Sequence, residues 1–341
     1  MLIVMRADAA AGQVSAVCAV IEAMGFEAVP MPGDQRVAIG LVGNDRGVND
    51  SRIRGMPGVQ QVIHVSAPFK QVSREWRAEP TVVKLANGVC IGGPDIVIMG
   101  GPCAVESESL LMESAEAVAL AGGTILRGGA FKPRSSPYSF QGLGEEGLKI
   151  MAKARDAFGL AIITEALDAD SADLVAEYAD IVQIGARNMQ NFNLLRHVGR
   201  KGRPVLLKRG MSATVKEWLL AAEYIVSEGN SEVILCERGI RSFDDSTRNV
   251  MDVAAIAVAR QVTHLPIIAD PSHATGRRDL ILPVGLAAIA AGADGLMIET
   301  HPRPNEALSD GPQSLPPEDF AEMVRMTEAI AATLGRALQR L

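Results

Sequence analysis

From residue 96 onward the chain is punctuated by eight short apolar runs, and each stops at a charged or catalytically useful side chain. They are IVIMGGPC (96–103), TILR (124–127), AIITE (161–165), IVQIGAR (181–187), VLLK (205–208), VILCER (233–238), IIAD (267–270) and LMIE (296–299). Runs of branched aliphatics without polar alternation predict strands buried on both faces, as in a parallel sheet. The runs start about 20 to 40 residues apart, which leaves room for one helix between each pair. Eight such units predict an α/β fold of the (β/α)8 TIM-barrel type. The intervening segments have the helical period. SESLLMESAEAVALAGG places Ser107 as N-cap and Gly122 as stop, and TVKEWLLAAEYIVSEGN runs from Thr214 to a stop at Gly229. The segment 316–341 reads as the eighth helix.

Residues 1–66 have a different rhythm. MLIVMR predicts a strand, GQVSAVCAVIEAMG a helix, and EAVPM and QRVAIGLV two strands around the turn PGDQ. A second helix is expected within 44–58, followed by the strand VQQVIHV. The order βαββαβ is that of a ferredoxin-like module. Nothing in it looks catalytic, and a structural appendage is the plainer alternative to a regulatory domain. Residues 67–80 read as a polar linker and 81–341 as the barrel unit. That unit opens with the hairpin VVKLANGVCIGG, whose Asn87-Gly88 turn is a strong hairpin signal. The hairpin stands where it could plug the N-terminal mouth of the barrel.

Composition narrows the classes. The 341 residues are 48% hydrophobic but 4% aromatic, so the core is aliphatic. A net charge of −7 argues against a nucleic-acid binder and makes any cluster of Arg and Lys a local feature aimed at a small anion. Cys18, Cys90, Cys103 and Cys236 are widely spaced, with no CxxC, and predict reduced thiols in a cytoplasm. No secretory signal and no apolar run of membrane-spanning length is present, so no membrane partner is expected.

Two constellations fall at the strand ends, where barrel active sites sit. Cys103, His273, Glu299 and Asp310 follow runs one, seven and eight, which adjoin in a closed barrel. A thiolate, an imidazole and two carboxylates suit one borderline divalent ion: Mn²⁺, Fe²⁺, Co²⁺ or Zn²⁺. The second set is cationic: Arg127, Lys132, Arg134, Arg187, Lys208 and Arg238. Salt bridges to Glu165 and Asp270 are the plain explanation, but the cations outnumber those carboxylates. A substrate set with a phosphate and a carboxylate is expected. The loop GGAFKPRSSPYSFQGLG, with Lys132-Pro133-Arg134 and Ser135, reads as a phosphate grip.

GPCAVES, GGAFKPRSSPYSFQGLG, VQIGARNMQN, LLKRGMSAT, CERGIRSFD, DPSHATGRR and ETHPRPNEALSDGPQSL, in order from about residue 82 onward, resemble 3-deoxy-D-arabino-heptulosonate-7-phosphate (DAHP) synthase. The variety they resemble, type Iβ, has an N-terminal ferredoxin-like domain. The resemblance implies condensation of phosphoenolpyruvate with erythrose 4-phosphate, the entry to aromatic amino-acid synthesis. It implies metal binding by Cys103, His273, Glu299 and Asp310. The phosphoenolpyruvate phosphate would lie on Arg187, Lys208 and Arg238, near Gln183 and Ala186, with Arg127 and Lys132 reaching its carboxylate and the aldehyde. Pro133, Arg134 and Ser135 would hold the second phosphate, and Glu165 would face the carbon that water attacks. Lys132, His273 and a metal-bound water are all open as acid or base. A tyrosine or phenylalanine effector at residues 1–66 and a homotetramer are also implied. Ser135 stands where Thr is common, and Ala274 where Gly is frequent. The rivals are 3-deoxy-D-manno-octulosonate-8-phosphate synthase, whose strand-2 loop has a Lys-Ala-Asn-Arg pattern instead, and a non-catalytic metabolite-binding barrel.

Overall fold

A computed structural model describes residues 1–33, 36–43, 48–63, 68–133 and 138–341. The chain forms two compact units, Met1–Trp76 and Arg77–Leu341.

In the first unit four antiparallel strands lie in the order Glu27–Pro32, Val37–Val42, Leu2–Met5, Val59–Ile63. Helix Ala11–Ala23 supplies Val17 and Ile21, and the single-turn helix Ser51–Arg54 supplies Ile53, to a core with Ile3, Met5, Ile39 and Leu41. This is the expected βαββαβ order. The expected PGDQ turn (Asp34, Gln35), the start of the second helical segment (44–47) and the end of the last strand (His64, Val65) lie outside the described residues. The stretch read as a polar linker carries buried Phe69, Val72 and Trp76, and the Trp76 ring closes over Gly40.

The second unit is a closed parallel barrel. Its strands, numbered 1 to 8 here, are Val97–Gly101, Ile125–Arg127, Ala161–Ala166, Ile181–Ile184, Val205–Lys208, Val233–Glu237, Ile267–Ala269 and Gly295–Glu299, with strand 8 pairing strand 1. Inward positions follow the period of two. Val97, Met99, Ile125, Ala161, Ile163, Ile181, Leu206, Ile234, Cys236, Ile268 and Met297 fill the interior as one apolar cluster. Stepping two residues on from the last interior member of strands 2 to 8 reaches Arg127, Glu165, Gln183, Lys208, Arg238, Asp270 and Glu299. The wall that builds the core therefore delivers the site.

The hairpin Val83–Lys84/Cys90–Ile91 puts Val83, Leu85, Val89 and Ile91 into that same cluster. Asn87 Nδ2 donates to the Gly159 carbonyl just before strand 3, which fixes the hairpin at the N-terminal end. It is a plug, as expected. Ser107 accepts from Leu110 N at 3.3 Å as N-cap of Glu108–Ala121, and Thr214 and Glu217 form a reciprocal cap on Val215–Val226. Two boundaries differ from expectation. The last helix covers only Pro317–Thr333, because Gly335 turns at φ +70° and the tail returns to pair Leu338 with Ile96. Strand 4 stops at Ile184, not at Arg187: the chain winds into a 3-10 turn over Ala186–Asn188, and a Cβ on the extended Gly185 before it would lie 2.0 Å from Glu165 Oε1. No helix among the described residues is long and apolar enough to cross a membrane.

Candidate active site

The acid side of the rim gathers on strands 7, 8 and 1. Glu299 ends strand 8, and its backbone is held on both sides, by Ser272 Oγ at 2.9 Å and by Leu315 N at 2.8 Å. Cys103 stands two residues past strand 1. Asp310 sits in a left-handed turn, φ +54°, the sole non-glycine residue with positive φ among those described. One donor atom from each of Cys103, Glu299 and Asp310 lies within 4.8 Å of the others, and Cys103 Sγ is 3.2 Å from Asp310 Oδ2. His273 lies in the short helix Pro271–Thr275, which Asp270 caps by accepting from His273 N at 2.9 Å. Its Nε2 is 3.5 Å from Glu299 Oε1, and its Nδ1 is 2.8 Å from Asp270 Oδ2, close but not aligned as a hydrogen bond. The carboxylate beside Nδ1 favours the proton there and leaves the Nε2 lone pair facing the acid cluster.

Protonation states follow from burial and neighbours. Burial, helped by Glu299 and opposed by Lys132 and Arg127, pushes the Cys103 thiol up to about 11. Burial would also raise Asp270, but His273 and Lys208 outweigh it and hold this carboxyl well below the usual range. Glu299 is lowered against its burial by His273 and Arg127, and Asp310 by His273 and a hydrogen bond from Cys103. Burial lowers His273, opposed by Asp270 and Glu299, so the imidazole is neutral. A neutral imidazole, two ionised carboxylates and a thiol with one proton to lose are the donor set a borderline divalent ion takes.

The cationic side is partly neutralised. Arg127 donates through one guanidinium nitrogen to the Pro102 carbonyl at 2.8 Å and to Glu299 Oε1 at 2.9 Å, while its Nε is buried without a partner among the described residues. Lys208 pairs with Asp270 at 2.6 Å. The plain salt-bridge explanation thus holds for Lys208 with Asp270. It holds for Arg127 too, with Glu299 as a partner sequence reasoning had not proposed. Lys132 Nζ reaches the Cys103 carbonyl at 2.8 Å and its Sγ at 3.0 Å. Arg238 is buried, which depresses its pKa, and among the described residues its guanidinium has only a 3.4 Å bond to the Gly239 carbonyl. Arg187 stands exposed in the 3-10 turn Ala186–Asn188. Gln183 donates to Glu165 Oε2 at 3.3 Å.

A cavity of about 710 Å³, mouth included, opens between the two sides. Its lining brings together Lys132, Pro133, Glu165, Ala186, Arg187, Lys208, Arg238, His273 and Asp310. Gly185, Met211 and Arg248, which the sequence did not single out, complete it. Arg127, Gln183, Cys103 and Glu299 are not part of the lining. Arg134 and Ser135, assigned to a second phosphate, lie outside the described residues. Sequence reasoning also missed Arg209, which bridges Glu237 at 2.8 Å and Asp252 at 2.9 Å with both strand-end groups buried. The available signal was parity: Arg209 and Glu237 are one residue out of phase with inward Lys208 and Arg238.

A parallel barrel whose C-terminal rim sets a thiol, an imidazole and carboxylates against a wall of cations belongs to the class of barrel enzymes built for anionic ligands. Residues 80–334 match the DAHP synthetase I family, and residues 1–67 match the DAHP synthase ferredoxin-like domain. The chain is an enzyme of the DAHP synthetase I family. It is 47% identical, over 98% of its length and 99% of the relative's, to the phospho-2-dehydro-3-deoxyheptonate aldolase of Thermotoga maritima. The crystal structure of phospho-2-dehydro-3-deoxyheptonate aldolase (DAHP synthase) from T. maritima aligns with TM-score 0.79 at 46% identity over 99% of both chains. A 2-dehydro-3-deoxyphosphooctonate aldolase of Acidithiobacillus ferrooxidans is 34% identical over 68% of this chain and 88% of its own.

Proposed function

We propose that this enzyme condenses phosphoenolpyruvate with erythrose 4-phosphate and water to give DAHP and phosphate, with a divalent metal. The observation that carries this reading is one cavity with Lys132, Arg187, Lys208, Arg238 and Arg248 on its walls and the Cys103–Glu299–Asp310 cluster with His273 at its edge. Arg187, Lys208 and Arg238, beside Gln183 and Ala186, hold the phosphoenolpyruvate phosphate and neutralise it as it leaves. Arg127, whose buried Nε has no partner among the described residues, serves the carboxylate together with Lys132. Pro133, Arg134 and Ser135 receive the sugar phosphate. Glu165 faces the carbon to which water adds. Cys103, His273, Glu299 and Asp310 would hold the metal, which when bound supplies a Lewis acid for the aldehyde oxygen. Lys132, His273 or a metal-bound water would move the proton.

The four-carbon sugar is favoured over the five-carbon one by the strand-2 loop, which reads Lys132-Pro133-Arg134, and by residues 1–67, which match the DAHP synthase ferredoxin-like domain. Loss of phosphoenolpyruvate, followed with erythrose 4-phosphate or arabinose 5-phosphate and with chelator or Mn²⁺, tests the reading. Turnover that needs erythrose 4-phosphate and stops with chelator supports it; preference for the pentose, or none for either, sinks it. The same reading takes in slowing by tyrosine or phenylalanine through residues 1–66, a homotetramer, and a cytoplasmic site, the last supported by four free cysteines. An aromatic amino acid without effect, on a full chain that behaves like one lacking residues 1–66, would remove the effector.

A further inference from the structure

We propose that Gln313 is a positioning residue whose amide, held in one orientation by Arg248, fixes the Glu299 carboxylate for the divalent ion. The inference rests on the reading of Cys103, His273, Glu299 and Asp310 as the metal site. Gln313 is only 3% exposed, and its Nε2 donates to Glu299 Oε2 at 2.5 Å. Its Oε1 accepts from Arg248 at 2.9 Å. The amide alone would be free to flip, since its two ends have nearly the same shape. Arginine has donors and no acceptor, so the atom that faces it must be oxygen, and the other end must be the NH₂. The orientation of Gln313 is thereby decided at the cavity wall and delivered to a buried carboxylate.

Local structure builds this arrangement. Gly311–Gln313 is one 3-10 turn entered from the left-handed Asp310, whose Oδ2 lies 3.2 Å from Cys103 Sγ, while Gln313 reaches Glu299. Asp310 and Gln313 therefore both point to the acid cluster. Arg248 is positioned from its own backbone: Arg248 N donates to the Thr275 carbonyl at 3.0 Å and Asn249 N to Ala274 at 2.7 Å, beside the His273 helix. On the far side, Arg127 holds Glu299 Oε1. With Oε1 held by Arg127 and Oε2 by Gln313, the plane of the carboxylate is set while each oxygen keeps a second lone pair for an ion. Groups that orient a metal ligand in this way typically alter affinity by about 10- to 100-fold when lost. Packing alone is the competing role, and it would leave metal affinity unmoved once volume is conserved.

The test uses the full chain, stripped with chelator and titrated with Co²⁺ against a competing chelator, while the thiolate-to-cobalt and ligand-field absorptions are recorded. Gln313→Met conserves volume and removes both hydrogen bonds. It should weaken Co²⁺ about 10- to 100-fold and shift the ligand-field bands. Arg248→Met, at a side chain 39% exposed, should weaken it less, and Arg248→Lys, which keeps a donor, should restore most of the loss. The double variant Gln313→Met/Arg248→Met should be little worse than Gln313→Met, because the arginine acts through the amide. Wild-type affinity and bands in Gln313→Met overturn the proposal. So do strictly additive losses, which would mean that Arg248 acts through Asp310, whose Oδ1 lies 3.5 Å from the arginine Nη1. If Gln313→Met fails to fold, the contrast between Arg248→Met and Arg248→Lys decides: equal losses overturn the proposal. A wild-type spectrum with no thiolate band, unchanged by Cys103→Ser, would instead bring down the metal-site reading beneath it.

Discussion

At the scale of single residues, burial makes the site conditional on pH. Burial and neighbours leave His273 neutral and Glu299, Asp310 and Asp270 ionised, so under the proposed metal reading the Cys103 thiol, raised to about 11, would be the ligand that must lose a proton. Metal affinity should therefore rise by about tenfold per pH unit across neutrality, with one proton released per ion. Calorimetric titrations in buffers of different ionisation heat measure that proton directly; a flat profile would mean that Cys103 is not a ligand. Gly185 makes a steric point of the same kind. Gly185→Ala would drive a methyl into Glu165 Oε1, so turnover should fall by at least about tenfold while circular dichroism stays native, since Gly185 lies past the strand end. Arg209→Ala leaves Glu237 buried without its partner and should cost about 3–5 kcal/mol in denaturant unfolding.

At the scale of elements, ends matter more than middles. Asp168 caps helix Ala169–Tyr178 by accepting from Ser171 N at 2.8 Å, and its pKa is lowered by the Ser171 hydroxyl and backbone. Asp168→Ala should cost about 1 kcal/mol at neutral pH. Because the folded pKa lies below the unfolded one, this contribution is fully present above about pH 4 and fades as pH falls through the lowered value. Unfolding of the two proteins at neutral pH and near pH 3 should show the gap closing. The hairpin plug works at the opposite end of the barrel from the chemistry. The Ser107 cap, the Thr214 helix start and the Asn87-Gly88 hairpin turn were legible in the sequence because they depend on neighbours a few residues away. The Asp168 cap has the same local character but was not singled out. The limits of strand 4 and of the last helix were not legible: nothing in the apolar run marks the 3-10 turn of Ala186–Asn188, and Gly335 ends a helix that the apolar period alone would continue.

At the scale of the molecule, the contrast between net charge and cavity charge is the controlling feature. A chain of net charge −7 repels anions, yet one cavity presents Lys132, Arg187, Lys208, Arg238 and Arg248 against Glu165 and Asp310. Such a field draws charged substrates in and is screened by salt, with a Debye length of about 10 Å at 0.1 M. KM for phosphoenolpyruvate should rise several-fold between about 0.05 and 0.5 M KCl with little change in kcat. A KM indifferent to salt would count against the cationic wall as the binding surface.

The sequence by itself determined the barrel, and it located the rim and most of the residue types proposed for the site, because buried parallel strands must be apolar and their period of two sets which side chain emerges at the rim. Only the tertiary structure decided how those charges are shared. Arg127 meets Glu299 across 172 positions and Lys208 meets Asp270 across 62, so two apparent substrate cations are already partnered. Arg248 and Gln313, 65 positions apart, meet at the edge of the acid cluster. No local pattern encodes such pairings: Arg127 reaches Glu299 because closing the barrel places strands 8 and 2 on either side of strand 1, and Lys208 reaches Asp270 because both side chains point into the same rim across strand 6.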